Sequence, residues 1–174
     1  MRREDYDLAF LLRYENVAWY EEGKVRILDR RVYPTKIEFV TCYNHQEVAQ
    51  AIADMVTQSA GPYTAAGMGM ALAAYECRNM GREKAWEYLQ KAAYTLSHAR
   101  PTTTSRMIQV TNGCLQAAEK AFEEGKPVDE AIFLKTIESL NRRYSTIGKV
   151  AKYLVDMFPD KGTIMTQCFG ETIV

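Results

Sequence analysis

The stretch His98–Ser105 contains residue types that could bind an anion. Arg100 precedes Pro101, and four hydroxyl residues, Thr102 to Ser105, follow. A residue before proline avoids the α region and proline is favoured at the first helical position, so a helix is predicted to start here. Backbone N–H groups, hydroxyls and one guanidinium would then meet at the positive end of a helix dipole, which suits a phosphate. The same residues fit equally well a capped helix start beside a solvated arginine.

A second candidate group is the thiol of Cys168. It follows a β-prone run, Thr163–Thr166, and precedes Gly170, near which a helix could begin. A helix N-terminus lowers a thiol pKa, which would suit Cys168 to proton transfer or nucleophilic attack. Spacing alone favours the simpler interpretation of a buried cysteine that acts as a small hydrophobic residue. The other three cysteines lie inside regular patterns and are predicted to be structural: Cys42, Cys77 and Cys114.

Composition narrows the class of protein. The chain has 174 residues, of which 47% are hydrophobic and 25% charged, values typical of a folded domain. Twenty-two basic residues balance 22 acidic ones, so the positive charge of a nucleic-acid-binding protein is missing. No apolar run predicts a membrane span or a signal peptide. With two histidines and no CxxC pair, we expect no metal site, reduced cysteines and a cytoplasmic location.

The first 43 residues predict a short helix and a small antiparallel sheet. Leu8, Leu11 and Leu12 indicate a helix over residues 5–14. Glu22-Gly23 is typical of a hairpin turn, in which glycine supplies the positive φ. Three runs predict the strands: Asn16–Glu21, Lys24–Arg30 and Lys36–Cys42.

From residue 44 the apolar spacing becomes helical. Asn44 and Glu47 form a predicted capping box, and the helix they start is broken by Gln58–Pro62. Gly67 and Gly69 disfavour helix and therefore indicate positions that a neighbouring backbone or a ligand approaches closely. Histidine 98 is predicted to cap a helix end. Four more helices are predicted over residues 63–80, 82–99, 101–124 and 127–158. After a turn at residues 159–162 the sequence begins a strand that has no partner here, so we expect the remainder of an α/β domain to lie on another chain or to have been removed.

Four colinear motifs resemble one enzyme family. Val25-Arg-Ile-Leu-Asp-Arg-Arg-Val-Tyr-Pro34 is similar to the "VRxLDQxxLP" segment of S-methyl-5-thioribose-1-phosphate isomerases. Ala99-Arg-Pro-Thr102 reproduces the family's "ARPT", and Thr166-Gln-Cys-Phe169 resembles its "THCN". The turn Ser59-Ala-Gly-Pro62 falls where the family has "RGAP". The same superfamily contains ribose-1,5-bisphosphate isomerases and the α, β and δ subunits of initiation factor 2B.

The resemblance implies an α+β fold: a small antiparallel sheet, a helical bundle, and the first strand of a Rossmann-like α/β domain that the chain does not contain. The corresponding divisions are residues 1–43, 44–158 and 159–174. In the family the "THCN" cysteine and an aspartate of the Rossmann-like domain transfer the proton, while the "RGAP" and "ARPT" arginines hold the phosphate. By position these are Cys168 as acid/base and Arg100, with Ser59, Ala60 and Gly61, as substrate-binding residues. The first arginine is Ser59 here, and the aspartate has no counterpart.

The function that follows from the resemblance is aldose–ketose isomerisation of a 5-substituted ribose 1-phosphate, as in methionine salvage. It needs no cofactor and proceeds through an enediol. The expected partners are a phosphorylated pentose-type small molecule, the missing α/β segment or a second chain, and a second copy in a homodimer. The alternative is a non-catalytic regulatory relative of the initiation factor 2B subunits that binds a sugar phosphate or a nucleotide. Retention of Cys168 favours the enzyme, whereas Ser59 favours the alternative or a changed substrate.

Overall fold

The computed structural model describes residues 3–163 and 165, which form a small sheet and a helical bundle. The sheet and the helices share one hydrophobic core. Two 3₁₀ turns, Phe10–Leu12 and Pro101–Thr103, precede helices. The regular elements are α1 (Tyr14–Val17), β1 (Ala18–Glu21), β2 (Lys24–Leu28), β3 (Phe39–Cys42), α2 (His45–Ala53), α3 (Gly61–Glu76), α4 (Arg82–Ser97), α5 (Thr104–Glu124) and α6 (Val128–Val155).

The predicted antiparallel sheet is confirmed. Its strands lie in the order β1-β2-β3, with Tyr20 opposite Val25 and Val25 opposite Cys42. Gly23 closes the hairpin with a φ of 79°, the left-handed conformation that glycine adopts without strain. The strands are shorter than predicted, since β3 begins only at Phe39.

The predicted helix over residues 5–14 is wrong, because a buried carboxylate organises this segment. Asp5, 1% exposed, accepts the backbone N–H of Tyr14 at 2.8 Å and pairs with Arg3 at 2.6 Å. Arg3 also bridges to Glu15. The chain folds around these charges as turns, and only Phe10–Leu12 and Tyr14–Val17 become helical.

Helix α2 begins at the predicted cap. The Asn44 side chain accepts the Glu47 N–H at 2.8 Å, and the Glu47 carboxylate accepts the Tyr43 N–H at 2.7 Å. Val48, Ala51 and Ile52 are buried, as their spacing predicts.

Helix α3 is enclosed by the rest of the molecule. It packs against α2, α4, α5, α6, β1 and β2, and almost every residue is buried. Gly67 faces Thr136 of α6 so closely that a Cβ would lie 2.7 Å from the Thr136 side chain. Gly67 does mark a close approach, but the neighbour is a side chain of α6 and not the predicted backbone or ligand. The helix starts two residues earlier than predicted and ends at Glu76, because Gly81 caps the start of α4 instead of ending α3.

The last two helices form an antiparallel pair against α3. The chain turns between them at Gly125, whose φ of 64° is the left-handed C-cap that the sequence predicts. Helix α6 continues without interruption through Ser145, Thr146 and Gly148. Beyond it, Thr163 and Met165 belong to no helix or strand, and most of the predicted strand, with Cys168, lies outside the described residues.

A buried polar cluster joins three helices. The Glu76 carboxylate, at the end of α3, accepts the His45 backbone N–H at 2.8 Å and the Tyr88 hydroxyl at 2.6 Å. His45 Nδ1 lies 3.0 Å from the same carboxylate. Burial acts to raise the pKa of Glu76, but the hydrogen bonds from His45 and Tyr88 outweigh it and hold the pKa below its ordinary value.

We predict that Gly67→Ala destabilises the protein by about 1–3 kcal/mol, because its methyl group would force α3 and α6 apart. Urea unfolding measures the change. The matched control is Gly113→Ala, in the middle of α5 with no atom within 4 Å of the added carbon. It should stabilise by up to about 1 kcal/mol through helix propensity. Thr136→Ala should recover part of the Gly67→Ala loss, and equal effects at the two glycines would contradict the prediction.

We also predict that Glu76 makes the fold acid-sensitive. Its pKa is lower in the folded chain, so its contribution to stability is complete above the unfolded-state pKa and is lost as the pH falls below about 4.5. Glu76→Gln should cost about 1–3 kcal/mol at pH 7 and flatten the decline in unfolding free energy between about pH 5 and 3. Urea unfolding at several pH values tests this, with the exposed Glu119→Gln as control. A slope unchanged by Glu76→Gln would refute the assignment.

Candidate functional site

Arg100 lies where α4 gives way to α5. Its backbone is extended, with φ −144° and ψ 118°, and Pro101 begins the 3₁₀ turn that leads into α5, as predicted. The Arg100 side chain is half-buried and makes no hydrogen bond or ion pair with any described residue. His98 Nδ1 lies 2.9 Å from the Tyr94 carbonyl oxygen, which agrees with its predicted role as a cap of α4.

The hydroxyl residues after Pro101 are only partly available to a ligand. The hydroxyls of Thr103 and Thr104 donate to the Arg100 carbonyl, at 3.4 and 3.1 Å. Thr102 and Ser105 are exposed. No side chain caps the start of α5. The turn is therefore stabilised by its own threonines. The Arg100 side chain is the charged group here that has no partner among the described residues.

The segment Ser59–Gly61 forms the start of α3. Ser59 is exposed and has a φ of 55°, in the left-handed region. Gly61, the first residue of α3, packs so tightly on buried Thr57 that a Cβ would lie 1.8 Å from its hydroxyl. Only glycine fits there, so this segment presents backbone and the small side chains of Ser59 and Ala60.

The two predicted substrate-binding segments precede helices whose first turns lie together. Tyr63 and Thr64 of α3 line the same cleft as Arg106 and Gln109 of α5. Ser59–Gly61 and Arg100 therefore lead into the same end of the bundle, although no hydrogen bond or ion pair joins them directly. Sequence reasoning did not identify Arg106, or the two arginines of α6 that line this cleft.

The three cysteines that the structure describes have buried thiols of low reactivity. Cys42, Cys77 and Cys114 are free and buried. Burial raises the pKa of Cys42 and Cys77 to about 11 and that of Cys114 to about 12. These thiols stay protonated at neutral pH, which supports their predicted structural role.

Within residues 3–163 and 165, no three histidine, cysteine or acidic side chains gather where they could hold a metal ion. In the same part of the chain, no helix combines the length and the apolar character needed to cross a bilayer.

The fold matches solved structures of one class. The δ subunit of translation initiation factor eIF-2B from Archaeoglobus fulgidus is 27% identical with a TM-score of 0.63, and the match covers 80% of this chain and 41% of that one. The 5-methylthioribose 1-phosphate isomerase of Pyrococcus horikoshii is 22% identical with a TM-score of 0.70, over 91% of this chain and 45% of the other. The sheet and helical bundle are thus those of this class of proteins.

The sequence comparison finds relatives of the same class. The methylthioribose-1-phosphate isomerase of Thermotoga maritima is 26% identical over 163 residues, 90% of this chain and 44% of its own length. No family model matches the chain. The chain is thus similar in sequence and in fold to methylthioribose-1-phosphate isomerases and initiation factor 2B subunits, which confirms the resemblance seen in the motifs. It spans less than half the length of the curated relatives that it matches along most of its own length.

We predict that iodoacetamide at neutral pH modifies Cys168 and spares the three buried thiols. A protonated thiol enclosed by protein reacts slowly, whereas a thiol at a helix N-terminus is partly ionised. Peptide mass mapping of the native protein measures the pattern, and labelling in guanidinium shows that all four sites can react. Rapid labelling of Cys42, Cys77 or Cys114 in the native protein would contradict the prediction, and so would a Cys168 that does not react.

Proposed function

We propose that the chain is part of an aldose–ketose isomerase that acts on a 5-substituted ribose 1-phosphate. The observation that carries the proposal is the state of the Arg100 guanidinium. It makes no hydrogen bond or ion pair with a described residue, and it lies where the helix of the "ARPT" motif begins. A guanidinium in this state can accept a phosphate in a charge-assisted, bidentate contact. The likeness to methylthioribose-1-phosphate isomerases supports the class of reaction.

In this proposal the segment Ser59–Gly61 faces the same substrate. Because Ser59 replaces the family arginine and Gly61 admits no side chain, the segment offers backbone N–H groups and a hydroxyl instead of a second positive charge. Arg100 then supplies the main electrostatic attraction for the phosphate.

Cys168 is the proposed acid/base. A proton moves between neighbouring carbons of the sugar through an enediol, and Cys168 takes it from one carbon or returns it to the other. No metal or redox cofactor is required, because the reaction exchanges protons within one molecule. The raised pKa values of the other three thiols leave Cys168 as the cysteine suited to this role.

We further propose that activity requires the α/β segment found in the family, supplied by further chain or a partner, in a homodimer. The end of α6 and the turn after it support a covering segment, because four apolar side chains there are exposed: Val150, Tyr153, Val155 and Met157. Isomerase assays on the 174-residue chain test this part, and full turnover without any partner would disprove it.

The second candidate function is regulatory binding without catalysis. It is favoured by Ser59 in place of an arginine and by the likeness to the eIF-2B δ subunit. A binder would retain the phosphate contact of Arg100 but show no isomerisation in any assembly.

We predict that Arg100→Ala weakens binding of a ribose 1-phosphate by about one to two decades in Kd, because a well-placed charge-assisted contact contributes about 1.5–3 kcal/mol. The unphosphorylated sugar should lose little, since it presents no anion. Arg100→Lys should recover part of the loss, because an ammonium lacks the planar fork. Calorimetric titration with both sugars measures the difference. An equal change for the two sugars would show that Arg100 is an ordinary solvated side chain.

A further inference from the structure

Strand β3 forms the open edge of the sheet. The strand order is β1-β2-β3, so β1 and β3 are the two edges. The edge at β1 lies against α6, because Trp19 and Tyr20 point to opposite faces of the strand and yet both contact Phe133, with ring centroids 5.1 and 5.9 Å apart. Within residues 3–163 and 165, no strand pairs with the outer side of β3.

The register of the sheet identifies which backbone groups of β3 are free. The Asp29 N–H donates to the Glu38 carbonyl at 2.9 Å, which makes these two residues a hydrogen-bonded pair. Such pairs alternate with non-hydrogen-bonded ones along an antiparallel ladder. The backbone groups of Val40 therefore point toward β2, whereas those of Phe39 and Thr41 point away from it. On that outer side, Phe39 and Thr41 form no hydrogen bond with a described residue.

This edge lacks the features that commonly keep edge strands apart. Those features are charged side chains, proline, or a helix or loop that covers the strand. Residues 39–42 contain neither a charged residue nor a proline, and the neighbouring Glu38 is already paired with Lys36 at 3.6 Å. The apolar side chains on either side of the strand are exposed, Ile37 by 59% and Tyr43 by 65%. Unpaired backbone groups and exposed apolar surface together are typical of a strand that pairs with another chain.

We propose that β3 pairs with β3 of a second copy of this chain, antiparallel about a two-fold axis through Val40. Phe39 of each copy lies opposite Thr41 of the other, and the two residues exchange both backbone hydrogen bonds. The sheets of the two copies thereby become continuous. This inference names an interface for the homodimer proposed above, but it depends on the free edge and not on Arg100 or Cys168.

The side chains of the edge favour a second copy over an unrelated peptide. In this register Ile37 lies opposite Tyr43 of the second copy, so the exposed apolar side chains cover each other on both sides of the axis. Glu38 lies opposite Cys42 of the second copy, so no like charges face each other. The chain as a whole has no net charge, so two copies approach without long-range repulsion.

Neighbouring registers fit less well. An axis through Glu38 would place two carboxylates opposite each other. An axis through Phe39 would leave Tyr43 uncovered. An axis through Thr41 would require the Tyr43 N–H, which already donates to the Glu47 carboxylate at 2.7 Å.

Sedimentation equilibrium of the 174-residue chain tests the association. A four-residue strand gives a small contact compared with the about 800 Å² per partner of a standard interface, so we expect a weak dimer that forms between about 10 and 500 µM. Thr41→Pro removes the N–H that donates across the axis, and proline is tolerated in an edge strand when its nitrogen faces outward. The dimer should weaken by about tenfold or more, because each copy loses a hydrogen bond. The matched control Thr41→Val keeps the N–H and should change the dissociation constant by less than about threefold.

Two matched double variants at exposed positions test the register. Ile37→Lys/Tyr43→Lys places like charges opposite each other across the axis, whereas Ile37→Lys/Tyr43→Glu places opposite charges there. Both variants lose the same apolar contact. The second should dimerise about tenfold more tightly than the first, and thermal unfolding of dilute samples checks that both are folded.

Amide hydrogen exchange locates the contact. The N–H groups of Phe39 and Thr41 should exchange rapidly in dilute solution and slowly in concentrated solution, whereas that of Val40, bonded within the sheet, should be protected in both. A chain that stays monomeric at about 500 µM would overturn the proposal, and so would equal dissociation constants for the two double variants. A dimer in which Phe39 and Thr41 still exchange rapidly would also overturn it, because its interface would lie elsewhere. None of these measurements uses a sugar phosphate, so their outcome is independent of the proposed isomerase activity.

Discussion

Helix α3 has neighbours on all sides, and this constraint decides which residues it can contain. A helix surrounded by four others and a sheet must be apolar around its whole circumference, and its close neighbours leave room only for small residues at the contacts. Gly67 lies close against Thr136 of α6, and Gly69 lies close against Val48 of α2 and Leu96 of α4. The loss of helix propensity at the two glycines is offset by the packing of these helices at native density.

The same constraint explains how the amino-terminal segment is held. The sheet covers one side of α3, and three tyrosine hydroxyls join the segment from Leu12 to Tyr20 to α6. The Tyr14 hydroxyl donates to Asn141 at 2.7 Å, the Tyr144 hydroxyl donates to the Leu12 carbonyl at 3.0 Å, and the Tyr20 hydroxyl donates to Asp129 at 2.8 Å. Tyrosines suit this task because their rings join the core while their hydroxyls satisfy polar groups at its edge.

Local chemistry predicts local features well and long-range pairing poorly. The hairpin at Gly23 and the turn at Gly125 follow from a positive φ that few residues other than glycine adopt, and the cap at Asn44 follows from its side-chain acceptor; all three are found. The helix predicted over residues 5–14 fails because Asp5 is bound by Arg3 and Tyr14, a charge arrangement that apolar spacing does not reveal. In the site, the position of Arg100 before a helix was predictable. The cleft that Arg106 lines was not, because its side chains come from distant parts of the chain.

The packing of Gly67 on Thr136 also fixes the position of the part of α6 that follows Thr136. Thr136 lies in the first third of α6, and the helix continues to Val155, about 28 Å further along its axis. A one-residue change of register at this contact would shift α6 by about 1.5 Å and rotate it by about 100°, so that every later side chain would point in a different direction. The contact of Gly67 with Thr136 thus fixes the register and rotation of α6. It determines which way the last turns of the helix face, and with them the exposed apolar side chains from Val150 to Met157.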